Sequence, residues 1–143
     1  MADSLADMAA GCPMRIDRDV VPYLREKFRY HEFFDGYGLI GVFLWLCSEI
    51  GARYEDARCW KTTRYLALGR GWRRRLFAYV DPQNREYRLK IGVFAEVAET
   101  MRPQTVSFAE FPDWRHGKGC KGIIVTERQP EVVDILTECC RRV

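Results

Sequence analysis

The sequence lacks a hydrophobic run long enough to cross a bilayer. Its longest apolar stretch runs for 10 residues, from Gly38 to Cys47, whereas a transmembrane helix needs about 20. The first residues, MADSLAD, also lack the basic start and apolar core of a secretory signal. Both absences predict a cytoplasmic protein with no membrane partner.

The chain has six cysteines, but no two of them form a C-x-x-C pair. A zinc knuckle and a thioredoxin-type site are therefore not predicted. A chain of 143 residues can bury a core without disulfides, so we expect buried free thiols. Cys47 and Cys139, which fall on apolar helical faces, fit this expectation. We predict no metal and no cofactor.

Histidine is scarce, with two in the chain. His116 lies near Cys120, and a Cys–His pair can form a nucleophile, but nothing in the local sequence fixes that geometry. His31 falls on an apolar helical face and is expected to pack in the core. Asp81 is not followed by the acid-x-Lys pattern of a restriction-type nuclease. We predict no catalytic residues and expect a non-enzymatic protein.

What is present is a composition typical of a folded domain, with 48% hydrophobic and 13% aromatic residues. The length suits one domain, which we place at residues 17–143. Residues 1–16 have little periodicity and are predicted to form a loose N-terminal arm or a short capping helix. No internal period indicates a repeat architecture.

The order of periodic segments predicts an α+β fold. An N-terminal helical hairpin consists of a helix that starts after Asp17 or Asp19 and ends near Phe34, and a second helix, Leu39–Ile50, capped by Gly51. An antiparallel β-meander of three to five strands follows, and a C-terminal helix that starts at Pro130 packs on one face. The predicted strands are 65–68, 72–80 and 87–93, with turns at 69–71 and 81–84 and further strands at 106–108 and 122–125. Residues 94–101 fit either a helical turn or a strand.

The net charge of +3 conceals an uneven distribution along the chain. Residues 58–90 carry 10 basic and 2 acidic side chains, whereas the flanking segments are mildly acidic. Most of these cations are arginines, whose planar fork suits phosphate oxygens. Nearby aromatics such as Trp60 and Trp72 can stack on bases. The candidate nucleic-acid contacts are Lys61, Arg64, Arg70, Trp72, Arg73, Arg74, Arg75, Arg85, Arg88 and Lys90.

This pattern predicts a polyanion-binding module, for DNA or RNA, built on an arginine-rich β-hairpin. Arg88 and Lys90 alternate with Leu89 and Ile91, so they would form a basic row on an open sheet face. The alternative is an ordinary solvated face, neutralised by acids elsewhere such as Glu96. An acidic protein surface could also match the cations.

Residues 117–122 fit the G-x-G-x-x-G pattern of dinucleotide sites. That pattern works when a strand precedes the loop and a helix follows it. Here a strand, Ile123–Val125, follows, so we predict a glycine-rich hairpin entry. Lys118 and Lys121 make the segment a candidate anion loop.

A protein-interaction or assembly domain is the second hypothesis. Leu39–Ile50 is apolar on nearly every side, so it forms either a central core helix or a homo-oligomer contact. Such a domain could be a subunit or an inhibitor in a defence, restriction or phage-related complex. A third hypothesis is a small-ligand pocket lined by Phe43, Trp45 and Tyr65.

Several stretches carry a family resemblance. The segments LCSEIG at 46–51, KTTRYLA at 61–67, RLFAYVDP at 75–82 and RLKI at 88–91, with the closing helix, resemble a small uncharacterised bacterial domain labelled a predicted transport protein. Members of that family occur beside or fused to DNA endonuclease and restriction-related proteins. The resemblance implies DNA-associated work and supplies no catalytic residues. Residues 1–37 lie outside it.

Overall fold

A computed structural model of the protein describes residues 4–30, 38–112 and 119–143. The predicted end of the first helix near Phe34, the turn before Gly38, both histidines and Lys118 lie outside these ranges. The described part is α+β. Its helices are α1 (Ser4–Ala10), α2 (Val20–Lys27), α3 (Leu39–Arg53), α4 (Ala95–Met101) and α5 (Pro130–Arg141). Its strands are β1 (Arg15–Ile16), β2 (Ala57–Lys61), β3 (Leu66–Arg70), β4 (Arg75–Gln83), β5 (Arg88–Phe94), β6 (Ser107–Glu110) and β7 (Cys120–Val125).

All seven described strands join one sheet in the order β1-β2-β3-β4-β5-β7-β6. The β1–β2 pair is parallel, and every other pair is antiparallel. The predicted meander is present as β3–β4–β5. The predicted count of three to five strands is too low, because β1 and β2 were not expected. These strands are short and contain few large hydrophobic residues.

Period-2 alternation in β5 separates the two faces of the sheet. Leu89 and Ile91 are buried in the main core, and Ile91 pairs with Val80 on β4 and with Ile123 on β7. Buried side chains from the five described helices belong to this same core cluster. On the opposite face, Ala67 and Leu76 form a second, smaller apolar cluster.

Helix α3 is the central core helix. Its large apolar side chains are buried apart from Trp45, which is half-buried. The rest of this chain already covers these side chains, which favours the core-helix alternative over an oligomer contact through residues 39–50. The predicted C-cap is wrong: α3 continues through Gly51 to Arg53 and ends at Tyr54.

Residues 4–16, predicted as a loose arm or a short capping helix, form α1 and β1. Leu5 and Met14 are buried, and the Met14 backbone lies so close to α3 that a Cβ atom on Gly51 would be 2.3 Å from the Met14 nitrogen. A glycine at position 51 is what allows this approach.

The two turns of the meander lie further along the chain than predicted. Gly69 and Arg70 belong to β3, and the first turn starts at Gly71, which has a φ of 77°. Trp72, predicted in a strand, lies in that turn. Asp81 to Gln83 continue β4, so the second turn occupies residues 84–87. Residues 95–101, for which helix and strand both remained open, form α4.

Candidate polyanion interface

The turn between β3 and β4 presents the most exposed large aromatic side chain of the described residues. We call residues 71–75 the hairpin tip. The Gly71 nitrogen donates to the Asp56 carbonyl at 2.9 Å, and the Arg74 nitrogen donates to the Gly71 carbonyl at 3.1 Å. Gly71 and Arg74 both have positive φ, which closes the turn tightly. Trp72, which lies in this turn, is 81% exposed.

Arginines flank this tryptophan. The Arg73 guanidinium lies 5.0 Å from the centre of the Trp72 ring. Arg73 and Arg75 are exposed, and neither forms an ion pair with another described residue. Arg74 is partly neutralised, because its Nη2 lies 3.7 Å from the Asp17 carboxylate. The tip therefore combines one exposed aromatic ring with two cations that have no ion-pair partner within the described ranges.

Arg70, a predicted contact, is held by the protein itself. Its Nε lies 3.2 Å from both Asp56 oxygens, and its Nη1 donates to the Cys140 carbonyl. Burial acts to lower the pKa of Arg70, but the hydrogen bond and charge of Asp56 raise it overall. The guanidinium also lies 4.6 Å from the Tyr54 ring. Arg70 joins β3 to β2 and α5, and little of it is available to a ligand.

Four further predicted contacts lie at the opposite end of the sheet. Strand β4 has nine residues, so its ends are about 26 Å apart. Arg85 lies in the 84–87 turn, and Arg88 donates to Gln83 at 2.6 Å. Lys61 lies 5.4 Å from the Tyr23 ring, and the Arg64 carbonyl accepts from the Tyr23 hydroxyl.

Lys90 lies between the two ends, on the sheet face opposite the main core. Its Nζ is 5.7 Å from the Phe111 ring, and Asp81 is its partner across the β4–β5 pair. Arg88 shares this face, as the alternation predicted. The ten predicted residues are thus divided between the two ends of the sheet, with Lys90 two residues along β5 from Arg88. Only the hairpin tip brings several of them together around an exposed aromatic ring.

Most aromatic side chains of residues 58–90 have structural roles. Phe77 is fully buried. Trp60 covers Gly69, where an added Cβ would meet the indole at 2.6 Å, and Arg74 stacks above the same ring at 5.1 Å. Tyr79 packs against Tyr65 at 5.4 Å. Trp60, considered as a stacking residue from the sequence, is therefore already packed between protein groups.

The glycine-rich segment leads directly into a strand, as predicted. Within its described part, Cys120 begins β7. The Lys121 Nζ lies 5.3 Å from the Phe108 ring, and Lys121 pairs in register with Glu110 on β6. Lys121 is half-buried, so it offers less to an anion than the tip arginines.

The acids that neutralise the hairpin arginines differ from those considered in the sequence. Asp17 and Asp56 meet Arg74 and Arg70, whereas Glu96 pairs with Arg142. A prediction of β2 would have revealed the Arg70 contact, because Asp56 directly precedes that strand, and its first residue, Ala57, pairs with Arg70.

Two further observations concern the described ranges. No helix within them is long and apolar enough to span a membrane. The same residues contain no cluster of three or more His, Cys, Asp or Glu side chains able to hold a metal ion.

Phe43 and Tyr65, predicted to line a ligand pocket with Trp45, contribute to packing instead. Phe43 is 1% exposed, and the Tyr65 ring lies 5.3 Å from that of Phe111.

No family model, curated protein or solved structure matches the chain. The resemblance to the transport-labelled bacterial domain therefore stays a prediction.

Proposed function

We propose that the protein is a non-enzymatic module that binds DNA or RNA through the hairpin tip. The observation that supports this best is the 81% exposure of Trp72 beside Arg73 and Arg75. In this proposal the indole stacks on an unpaired base and the two guanidinium groups contact the flanking phosphates. An accessible aromatic ring beside cations is the arrangement that single-strand-binding surfaces use.

The geometry predicts a modest dependence of affinity on salt. Each phosphate neutralised on a single strand contributes about −0.7 to the slope of log affinity against log salt concentration. Two tip arginines without ion pairs among the described residues would therefore give a slope of about −1.4. If all nine cations among the predicted contacts neutralised phosphates, the slope would be several times steeper. Stacking on Trp72, worth about 1–3 kcal/mol per base, would be less sensitive to salt.

Fluorescence anisotropy with labelled single-stranded DNA, single-stranded RNA and duplex DNA at two salt concentrations tests the proposal. We expect single strands to bind more tightly than the duplex. Trp72→Ala should weaken binding about tenfold or more, and Trp72→Phe should restore part of it. The double variant Arg73→Gln/Arg75→Gln should reduce the salt slope.

The matched control is the double variant Arg64→Gln/Arg85→Gln, which removes the same charge from the opposite end of the sheet. Both control arginines are exposed, so the two double variants have the same net charge. Equal loss of affinity in both would show general electrostatic attraction, and the tip would not be the site. Absence of binding at low salt to every nucleic acid would exclude the proposal.

Protein interaction through strand β6 is the second candidate. In the described sheet, β6 is an edge strand paired with β7 alone. Phe108 on this strand is 39% exposed, and Met101, at the end of α4, is 38% exposed. Edge strands present unpaired backbone groups that another chain can extend. Light scattering across a concentration series tests self-association, and Phe108→Lys should abolish it if this edge is used.

A further inference from the structure

A pocket opens beside the hairpin tip, at the end of the sheet where α5 finishes. Its volume is about 800 Å³, within the range of small-molecule sites, roughly 300–1,000 Å³. Four parts of the chain form it: the start of β4, the junction of β5 and α4, the residue before β7, and the end of α5. The lining residues are Arg75, Leu76, Phe94, Ala95, Glu96, Gly119, Arg142 and Val143.

The lining divides into an apolar part and a charged part. Leu76 is buried, and Phe94 and Ala95 are half-buried, so these side chains give the pocket an apolar base. Arg75 and Arg142 supply the positive charge. Small-molecule sites commonly combine such an apolar lining with a few convergent polar groups that orient the ligand.

The two arginines differ in how far they are neutralised. Arg142 Nε lies 3.0 Å from a Glu138 oxygen, and its Nη1 lies 3.5 Å from Glu96. Arg75 forms no ion pair within residues 4–30, 38–112 and 119–143. Of the two arginines, Arg75 is therefore the one that an anion could bind without first displacing a carboxylate of the described residues.

The Glu96–Arg142 contact is weak. The Glu96 side chain is 77% exposed and the N–O distance is long, and exposed ion pairs of this kind contribute little. A ligand carboxylate or phosphate could replace Glu96 on Arg142, so Glu96 acts as a competitor supplied by the protein itself. Glu138 makes the shorter contact and keeps Arg142 in place.

The geometry points to this pocket as a binding site for a small organic anion, with its carboxylate or phosphate between Arg75 and Arg142 and its apolar body against Leu76 and Phe94. This site is separate from the stacking surface of Trp72, although Arg75 borders both. A phosphate ester and a carboxylic acid share the required chemistry.

NMR titration of the full chain with phenyl phosphate, benzoate and neutral benzyl alcohol tests the inference. Saturable shifts are expected at the backbone amides of Leu76, Ala95 and Gly119 for the two anions, with benzyl alcohol binding more weakly. Whichever anion binds more tightly identifies the class of head group.

Substitutions then separate the site from a general anion effect. Arg75→Gln should weaken anion binding about threefold to tenfold, whereas Arg85→Gln at the far end of the sheet should leave it unchanged. Glu96→Gln should strengthen binding, because it removes the competing carboxylate, and a damaged fold would not produce that gain. Ala95→Leu should fill the pocket and block all three probes.

Several results would overturn the inference. These are no saturable shift at the three amides with either anion, equal binding of benzyl alcohol and phenyl phosphate, or equal effects of Arg75→Gln and Arg85→Gln. Trp72→Ala distinguishes this inference from the nucleic-acid proposal. It should weaken oligonucleotide binding and leave phenyl phosphate binding intact, so that either proposal can fail without the other.

Discussion

The guanidinium Nε of Arg70 lies 3.2 Å from both carboxylate oxygens of Asp56. Arg70, which the sequence predicts to contact nucleic acid, lies at the end of β3. Its side chain instead binds Asp56, the residue before β2, and the Cys140 carbonyl on α5. We expect Arg70→Met to lower the free energy of unfolding by about 1–2 kcal/mol while leaving oligonucleotide affinity nearly unchanged. Urea unfolding and anisotropy measure the two effects. Arg73→Met should show the reverse pattern, and a stable Arg70→Met protein with lost affinity would contradict this assignment.

Replacing Gly51 by alanine should change the free energy of unfolding in the direction opposite to that expected from helix propensity. Replacing a helical glycine by alanine ordinarily stabilises a helix by up to about 1 kcal/mol. Here the added methyl group would overlap the Met14 backbone, so we expect Gly51→Ala to destabilise the protein by about 1–3 kcal/mol. Urea unfolding measures the change. The control, Ala52→Gly on the exposed side of α3, should cost about 1 kcal/mol from propensity alone. A more stable Gly51→Ala variant would disprove the close packing of residue 14 on α3.

The cysteines should differ widely in their reactivity with iodoacetamide. Burial raises the pKa of Cys139 to about 12 and that of Cys140 to about 11. At pH 8 the Cys139 thiol is therefore almost entirely protonated, and the thiolate is the nucleophile. Half-buried Cys12 and Cys120 should therefore be labelled before Cys139 in the native protein, and Cys139 only after unfolding. Mass spectrometry over time reports the order, with the denatured protein as the control. Equal native rates at Cys12 and Cys139 would be inconsistent with the buried position of Cys139.

The hydrogen bonds to the Glu131 carboxylate predict that the free energy of unfolding falls in acid. The Thr105 side chain and the backbone N–H groups of Gln104 and Thr105 donate to its carboxylate and lower its pKa below 4.5. A group whose pKa is lower in the folded state stabilises the protein above its unfolded pKa, and this contribution is lost as the pH falls through the folded value. The midpoint of urea unfolding should therefore decrease from pH 5 to pH 3, and it should decrease less in Glu131→Gln. Glu127→Gln, at an exposed carboxylate, should behave like the original protein.

The strongly periodic elements could be predicted from the sequence. In α5, Val132, Ile135, Leu136 and Cys139 recur at helical spacing and are all buried. The period-2 pattern of β5 is confirmed in the same way. Strand β2 could not be predicted, because its buried residues are the small Ala57 and Cys59. What makes it a strand is pairing with β1 and β3, a tertiary property.

The ion pairs of the candidate site could not be predicted from the sequence either. The arginines of residues 58–90 can be counted from the sequence, but the sequence does not indicate which carboxylates form ion pairs with them. Asp17 and Asp56 precede that segment and meet Arg74 and Arg70 only after the sheet has formed. The exposure of Trp72 depends on where the first turn begins, and the sequence placed that turn two residues too early.

The parallel β1–β2 pair has a consequence for the order in which the chain folds. Strands β2 to β5 pair with near neighbours along the sequence, whereas Arg15 pairs with Arg58, across a loop of about forty residues. Local pairings close at lower entropic cost and form faster. During synthesis, residues 15–16 leave the ribosome long before their partner strand exists. We expect the β2–β5 meander to form first and to provide the edge on which the earlier-made segment finally docks.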